Sequence, residues 1–203
     1  MKGLYLVTPD WDDTRQLLET TELALRGGAA LVQYRHKTFD AALRREQAEC
    51  LQDLCRSYGK PFIINDHVDL CLMINADGIH VGGTDAGIAQ VRAAVGQGKI
   101  VGASCYGSLD LARNAYRDGA SYVAFGGFYP SRVKKYEVTT QPEIVARAKA
   151  EIPLPNVVIG GMTPANAAPL VAQGCDMVAA ISSVYLAADP QAAALAFAAL
   201  FQG

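Results

Sequence analysis

The 203-residue chain has no C-x-x-C pair, no G-x-G-x-x-G turn, no apolar run of membrane length and no excess of positive charge. Each absence removes a class of function. A bilayer span needs roughly 18 to 20 apolar residues, and even the Ala-rich end from Gln191 to Phe201 is short and interrupted. Asp10, Asp12 and Asp13 stand where the apolar part of a secretory signal would lie, so a cytoplasmic protein is expected, with no membrane as partner. The five cysteines (Cys50, Cys55, Cys71, Cys105, Cys175) are unevenly spaced and read as reduced thiols. A net charge of −2 and a pI near 5.9 leave no basic surface for a nucleic-acid backbone. A small anion needs only a few cations in one place, and is not excluded. With 51% hydrophobic residues and near neutrality, the chain is too apolar to stay disordered and long enough to bury a core.

What is present is a repeated alternation. Short β-rich runs fall at 3–8, 30–35, 61–65, 77–81, 100–104, 121–126, 156–160 and 176–181, separated by stretches of helical spacing. Ser108 is placed to cap a helix that Gly119 closes, and Thr163-Pro164 and Asp189-Pro190 each pair an N-cap with proline at the first helical position. The runs are continuously apolar rather than alternating, as parallel strands buried on both faces require. Eight βα units, the last helix over 190–201, predict an α/β fold: a single (β/α)8 TIM barrel domain over residues 1–203. An open doubly wound sheet would place a glycine-rich turn after its first strand, where this chain has Thr8-Pro9-Asp10.

Barrel active sites sit at the C-terminal ends of the strands, which directs attention to the residues there. In the second strand Leu31, Gln33 and Arg35 share one face, so Gln33 and Arg35 point into the barrel mouth with Lys37 above them. An inward arginine is costly to desolvate without an anion, so a bound phosphate or an ion-pair partner is expected. Asp66 and Asp85 leave neighbouring strand ends; such a carboxylate pair suits Mg²⁺ bridging to substrate phosphates, unless they only cap the following helices. Zinc is disfavoured because no histidine has ligand spacing to a cysteine cluster, and His80 reads as a hydrogen-bonded core histidine. The longest loop, after Gly126, carries Arg132, Lys134 and Lys135 and reads as a lid over an anion or as a solvated basic loop. Gly160-Gly161 and Ile181-Ser182 end the last two strands, where backbone N–H groups can receive a second phosphate.

Six segments in order, Q-Y-R-x-K at 33–37, N-D-H-V-D-L at 65–70, D-G-I-H-V-G-x-x-D at 77–85, Y-V-A-F-G-x-F-Y-P-S at 122–131, V-I-G-G-M at 158–162 and V-A-A-I-S-S at 178–183, resemble the thiamine phosphate synthase family. The resemblance implies a barrel enzyme that joins hydroxymethylpyrimidine diphosphate to thiazole phosphate, giving thiamine phosphate and pyrophosphate. In that family the diphosphate leaves first and the thiazole nitrogen traps the resulting carbocation, so the resemblance implies the same order here. Carried across by position, Gln33, Arg35, Lys37, Asn65, Ser104 and Lys134 would hold the diphosphate, with Asn65 also near the pyrimidine. Asp66 and Asp85 would hold Mg²⁺, and Gly161, Ile181 and Ser182 would receive the thiazole phosphate. No protein nucleophile is needed, so Cys105 reads as loop packing.

The chain departs from the family pattern on the diphosphate side. Of the two hydroxyl donors usual in the long loop, Ser131 is kept and the other is Val133. Gly83-Thr84, Cys105-Tyr106 and Gly127 also replace the residues usual at their positions. Two other readings share the fold: a sister-group thiazole tautomerase, whose histidine is missing from Gly126-Gly127-Phe128, and a non-catalytic binder of thiazole or thiamine phosphates. A homo-oligomer is compatible with any of them.

Overall fold

The computed structural model describes residues 1–82, 87–130 and 140–202. Strands and helices alternate in the order β1 (Gly3–Val7), α1 (Thr14–Arg26), β2 (Leu31–Tyr34), α2 (Ala41–Ser57), β3 (Phe62–Asn65), α3 (Val68–Met73), β4 (Gly78–Val81), α4 (Ile88–Val95), β5 (Ile100–Tyr106), α5 (Leu109–Arg117) and β6 (Tyr122–Gly126). Then follow α6 (Ile144–Glu151), β7 (Asn156–Ile159), α7 (Pro164–Ala172), β8 (Met177–Ala180), α8 (Ser182–Tyr185) and α9 (Pro190–Ala199). All eight strands pair in parallel in sequence order, and β1 closes on β8 with Tyr5 opposite Ala179. This is the expected (β/α)8 barrel.

The helices start where side chains can accept the first orphan amides. Asp13, Asp40, Ser108, Thr163 and Asp189 each accept a backbone N–H of the following turn, and Thr163 with Asn166 forms a reciprocal capping box. Each such cap stabilises its helix by about 1 kcal/mol. Strand alternation sorts the apolar residues into two cores. Tyr5, Val7, Leu31, Ile63, Tyr122, Ala124, Val157, Met177 and Ala179 fill the barrel, while Leu4, Leu6, Val32, Phe62, Val123, Val158 and their kind pack outward against the helices.

Two features differ from the sequence expectation. β5 runs on to Tyr106 because a bulge opposes two of its residues, Cys105 and Tyr106, to the single step from Ala124 to Phe125 on β6. A four-residue helix, α8, precedes the anticipated terminal helix and is too short to show periodicity. Both lie at the C-terminal rim of the barrel. Asp66, Tyr106 and Gly161 on that rim have left-handed backbone, with φ of 61°, 51° and 62°. For the two non-glycine residues this costs on the order of 1 kcal/mol each, and such strain concentrates at functional sites.

Candidate active site

A cavity of about 220 Å³ opens at the C-terminal mouth. Its wall has two chemically distinct halves. Gln33, Arg35, Lys37, Asn65, Asp66, His80 and Ser104 come from β2 to β5 and the turns after them. Val7, Ala124, Val157, Ile159, Ala179 and Ile181 from β1 and β6 to β8 supply the apolar remainder. The cavity is below the roughly 300–1,000 Å³ usual for drug-sized ligands, and suits one small heterocycle with its polar tail toward the charged side.

Arg35 is a buried cation, with its side chain 5% exposed. Thr8 Oγ1 accepts from Arg35 N at 2.8 Å and donates to Arg35 O at 2.9 Å, which pins the backbone just past the end of β2. Its Nη1 lies 3.2 and 3.3 Å from the two carboxylate oxygens of Asp10, and Asp10 Oδ1 also accepts from Lys37 N at 2.9 Å. The ion-pair reading of Arg35 is therefore correct, but incomplete. Nε and Nη2 find no acceptor among the described residues, although a guanidinium offers five donors. A buried arginine with unused N–H groups facing a cavity is prepared for an anion. Lys37, exposed above it, adds a second cation at the same wall.

At the end of the neighbouring strand β3, Asn65 Nδ2 donates to Asp66 Oδ2 at 2.6 Å. Asp66 does not cap the next helix, since α3 starts after His67 without a side-chain cap. That disposes of the capping alternative for Asp66 and leaves its carboxylate at the cavity wall. Among the described residues no group of three or more His, Cys, Asp or Glu side chains is arranged around a common point.

Below the cavity runs a buried chain of polar groups. Gln33 Nε2 donates to Tyr5 Oη at 2.6 Å, Tyr5 Oη meets Tyr122 Oη at 2.6 Å, Tyr122 Oη meets His80 Nδ1 at 2.8 Å, and His80 Nε2 meets Ser104 Oγ at 2.9 Å. His80 is thus a hydrogen-bonded interior histidine, as expected, and it also borders the cavity. Gly102, paired with His80 and Tyr122 in the sheet, makes this possible: a Cβ there would stand 2.1 Å from Tyr122 Cζ and 2.6 Å from His80 Nδ1.

Of the residues singled out from sequence, Gln33, Arg35, Lys37, Asn65, Asp66, Ser104 and Ile181 meet at this one cavity. Gly161 and Ser182 are not part of its wall; Gly161 lies two residues past the end of β7, and Ser182 begins α8, at the same rim. Gly161 O accepts from Asn166 Nδ2, and a side chain at 161 would meet Pro130 O at 2.3 Å. Asp85, Ser131, Val133 and Lys134 lie outside the described residues. Sequence reading missed Asp10, Tyr5 and Tyr122. A signal existed for the tyrosines, because both occupy inward positions of the strand alternation. Cys105 is buried, which pushes its thiol up to about 12, in keeping with packing rather than nucleophilic attack.

A closed (β/α)8 barrel with cationic and carboxylate side chains gathered at its C-terminal mouth is the architecture of a barrel enzyme. A family model described as thiamine monophosphate synthase matches residues 4–184. The thiamine-phosphate synthase of Janthinobacterium sp. (strain Marseille) is 73% identical over 201 residues, covering 99% of this chain and 97% of that one. That of Thiobacillus denitrificans is 48% identical over 199 residues, covering 98% and 94%. Among solved structures, the thiamine phosphate pyrophosphorylase from Pyrococcus furiosus superposes with a TM-score of 0.85 at 30% identity, covering 98% of this chain and 95% of that one. The chain belongs to the thiamine monophosphate synthase family.

Proposed function

We propose that this protein joins hydroxymethylpyrimidine diphosphate to thiazole phosphate, giving thiamine phosphate and pyrophosphate. The observation that carries the reading is Arg35, buried at the cavity wall with Nε and Nη2 lacking acceptors among the described residues, in the same wall as Lys37 and Asp66. Loss of diphosphate builds negative charge on the departing oxygens, and donors already fixed in a dry wall stabilise that charge without reorganising. Arg35 is held by Thr8 and Asp10 before any ligand arrives. Gln33, Lys37, Asn65 and Ser104, which line the same cavity, are assigned to the diphosphate with Arg35, as are Ser131 and Lys134 by their position in the sequence. The apolar half of the wall excludes water, which would otherwise capture a pyrimidine carbocation before the thiazole nitrogen does. Gly161, Ile181 and Ser182 are assigned to the thiazole phosphate.

Asp66, with Asp85, is assigned to Mg²⁺. Carboxylate oxygens beside phosphate-binding cations suit that ion, and Asp66 borders the cavity with Arg35 and Lys37, while Asp85 lies outside the described residues. When bound, Mg²⁺ would neutralise charge on the diphosphate. The tautomerase alternative is not favoured, since the segment 126–141 contains no histidine. Among the described residues no helix is long and apolar enough to cross a membrane. We take the enzyme to act in the cytoplasm on small molecules, with a homo-oligomer compatible with that role.

The test is to incubate the purified protein with both substrates and Mg²⁺ and to follow thiamine phosphate with and without EDTA. Magnesium-dependent product supports the assignment. Absence of product while thiazole phosphate still binds would overturn it.

A further inference from the structure

We infer that Tyr5, Tyr122 and His80 are positioning residues, whose hydrogen bonds run in one direction from the Gln33 amide to the Ser104 hydroxyl and so fix Ser104 as a donor toward the cavity. The proposal rests on the reading that Ser104 faces the diphosphate.

The direction follows from counting protons. Tyr5 Oη accepts from Gln33 Nε2, and the remaining described neighbour for its own hydrogen is Tyr122 Oη. Tyr122 then accepts from Tyr5 and passes its single hydrogen to His80 Nδ1. A neutral imidazole that accepts at Nδ1 carries its proton on Nε2, which donates to Ser104 Oγ. The Ser104 hydrogen is then left for a ligand oxygen. At the other end, the Gln33 carbonyl is left as an acceptor at the cavity wall. Run backwards, the same heavy atoms would make Ser104 give its hydrogen to His80 and face an anion with lone pairs only. The sign of that contact is therefore set by a chain that begins on β2, three strands away from Ser104.

Two observations show that the chain is built for alignment. Burial holds both phenols well above their ordinary range, so each keeps the hydrogen that the relay needs. The His80 and Tyr122 rings stack at 5.6 Å and 19°, in space that Gly102 leaves open. An amide is nearly the same shape either way round, so the direction itself is what must be tested.

The chain has three histidines, so ¹⁵N-histidine NMR of the whole protein resolves the tautomer, with His80→Gln providing the assignment. The expected spectrum has His80 protonated at Nε2; protonation at Nδ1 overturns the proposal. Kinetics give the second readout. Tyr122→Phe, measured at saturating thiazole phosphate, is expected to lower kcat roughly 10- to 100-fold, the worth of a hydrogen bond to a charged group. KM for thiazole phosphate should not move. In a Ser104→Ala background the same substitution should cost less than about 3-fold, because the donor it orients is gone. Equal losses in both backgrounds would make Tyr122 merely structural and overturn the relay. Tyr5→Phe, one bond earlier, repeats the cycle should Tyr122→Phe fail to fold. A wild-type protein that makes no thiamine phosphate would sink the functional reading, while the tautomer still decides the relay.

Discussion

Replacing Asp10 tests whether Arg35 is held ready for an anion. The Asp10 carboxylate lies 3.2 to 3.3 Å from Arg35 Nη1 and accepts from Lys37 N at 2.9 Å, so it does two things that two variants separate. Asp10→Asn removes the charge and keeps an acceptor for the Lys37 amide; Asp10→Ala removes both. The gross attraction of such a pair is about 4 kcal/mol at an effective dielectric near 20. Asp10 is 40% exposed, however, so water replaces much of what is lost. A net cost of about 1.5 kcal/mol is expected for Asp10→Asn, and about 1 kcal/mol more for Asp10→Ala. For a chain of this length that lowers Tm by roughly 3–6 °C and 5–10 °C respectively. Differential scanning calorimetry with and without pyrophosphate is the assay. The anion should raise Tm more in Asp10→Asn than in wild type, because it restores a counter-charge to the buried guanidinium. If Asp10→Asn melts with wild type and responds equally to pyrophosphate, Arg35 does not depend on this pair and the reasoning fails.

Other substitutions probe the remaining parts of the site. Asp66→Asn should raise the Mg²⁺ concentration needed for half-maximal rate, and an unchanged magnesium titration would count against the metal assignment. Gly102→Ala drives a methyl to 2.1 Å from Tyr122 Cζ, for a cost of about 2–3 kcal/mol or more and a Tm at least about 5 °C lower; wild-type melting would show that the cavity floor repacks freely. Burial pushes the Cys71 thiol up to about 11 and those of Cys55, Cys105 and Cys175 up to about 12, so at pH 8 they stay protonated and out of reach. Iodoacetamide on the native protein should therefore modify the half-buried Cys50 first, by peptide mass spectrometry; early labelling of Cys105 would contradict its packed position.

The barrel was legible because parallel strands covered on both sides must be continuously apolar, and eight such runs leave little choice of architecture. The inward set Leu31, Gln33 and Arg35 was legible from alternation alone, and three of the five side-chain-capped helix starts from Ser108, Thr163 and Asp189, while the caps Asp13 and Asp40 were not. Contacts between distant segments were not. Asp10 meets Arg35 only because β1 and β2 are neighbours, which carries the turn after one strand over the end of the next. Tyr5 and Tyr122 are 117 residues apart and meet across the barrel interior. The bulge at Cys105 and Tyr106 left no periodic trace, because one extra residue changes the register without changing the composition.

Barrel closure also sets the order in which the chain can become stable during synthesis. β1 finds β2 soon after the two strands leave the ribosome, but its other edge is paired only by Met177–Ala180. Until then that edge offers unpaired N–H and C=O groups to any passing strand. Tyr5 and the Ala179 it faces are about 170 residues apart in sequence, so the barrel cannot close until nearly the whole chain has been made. A nascent or truncated chain lacking β8 would therefore be an open, adhesive sheet rather than a smaller barrel, and its survival in the cell would depend on chaperones reaching that edge first.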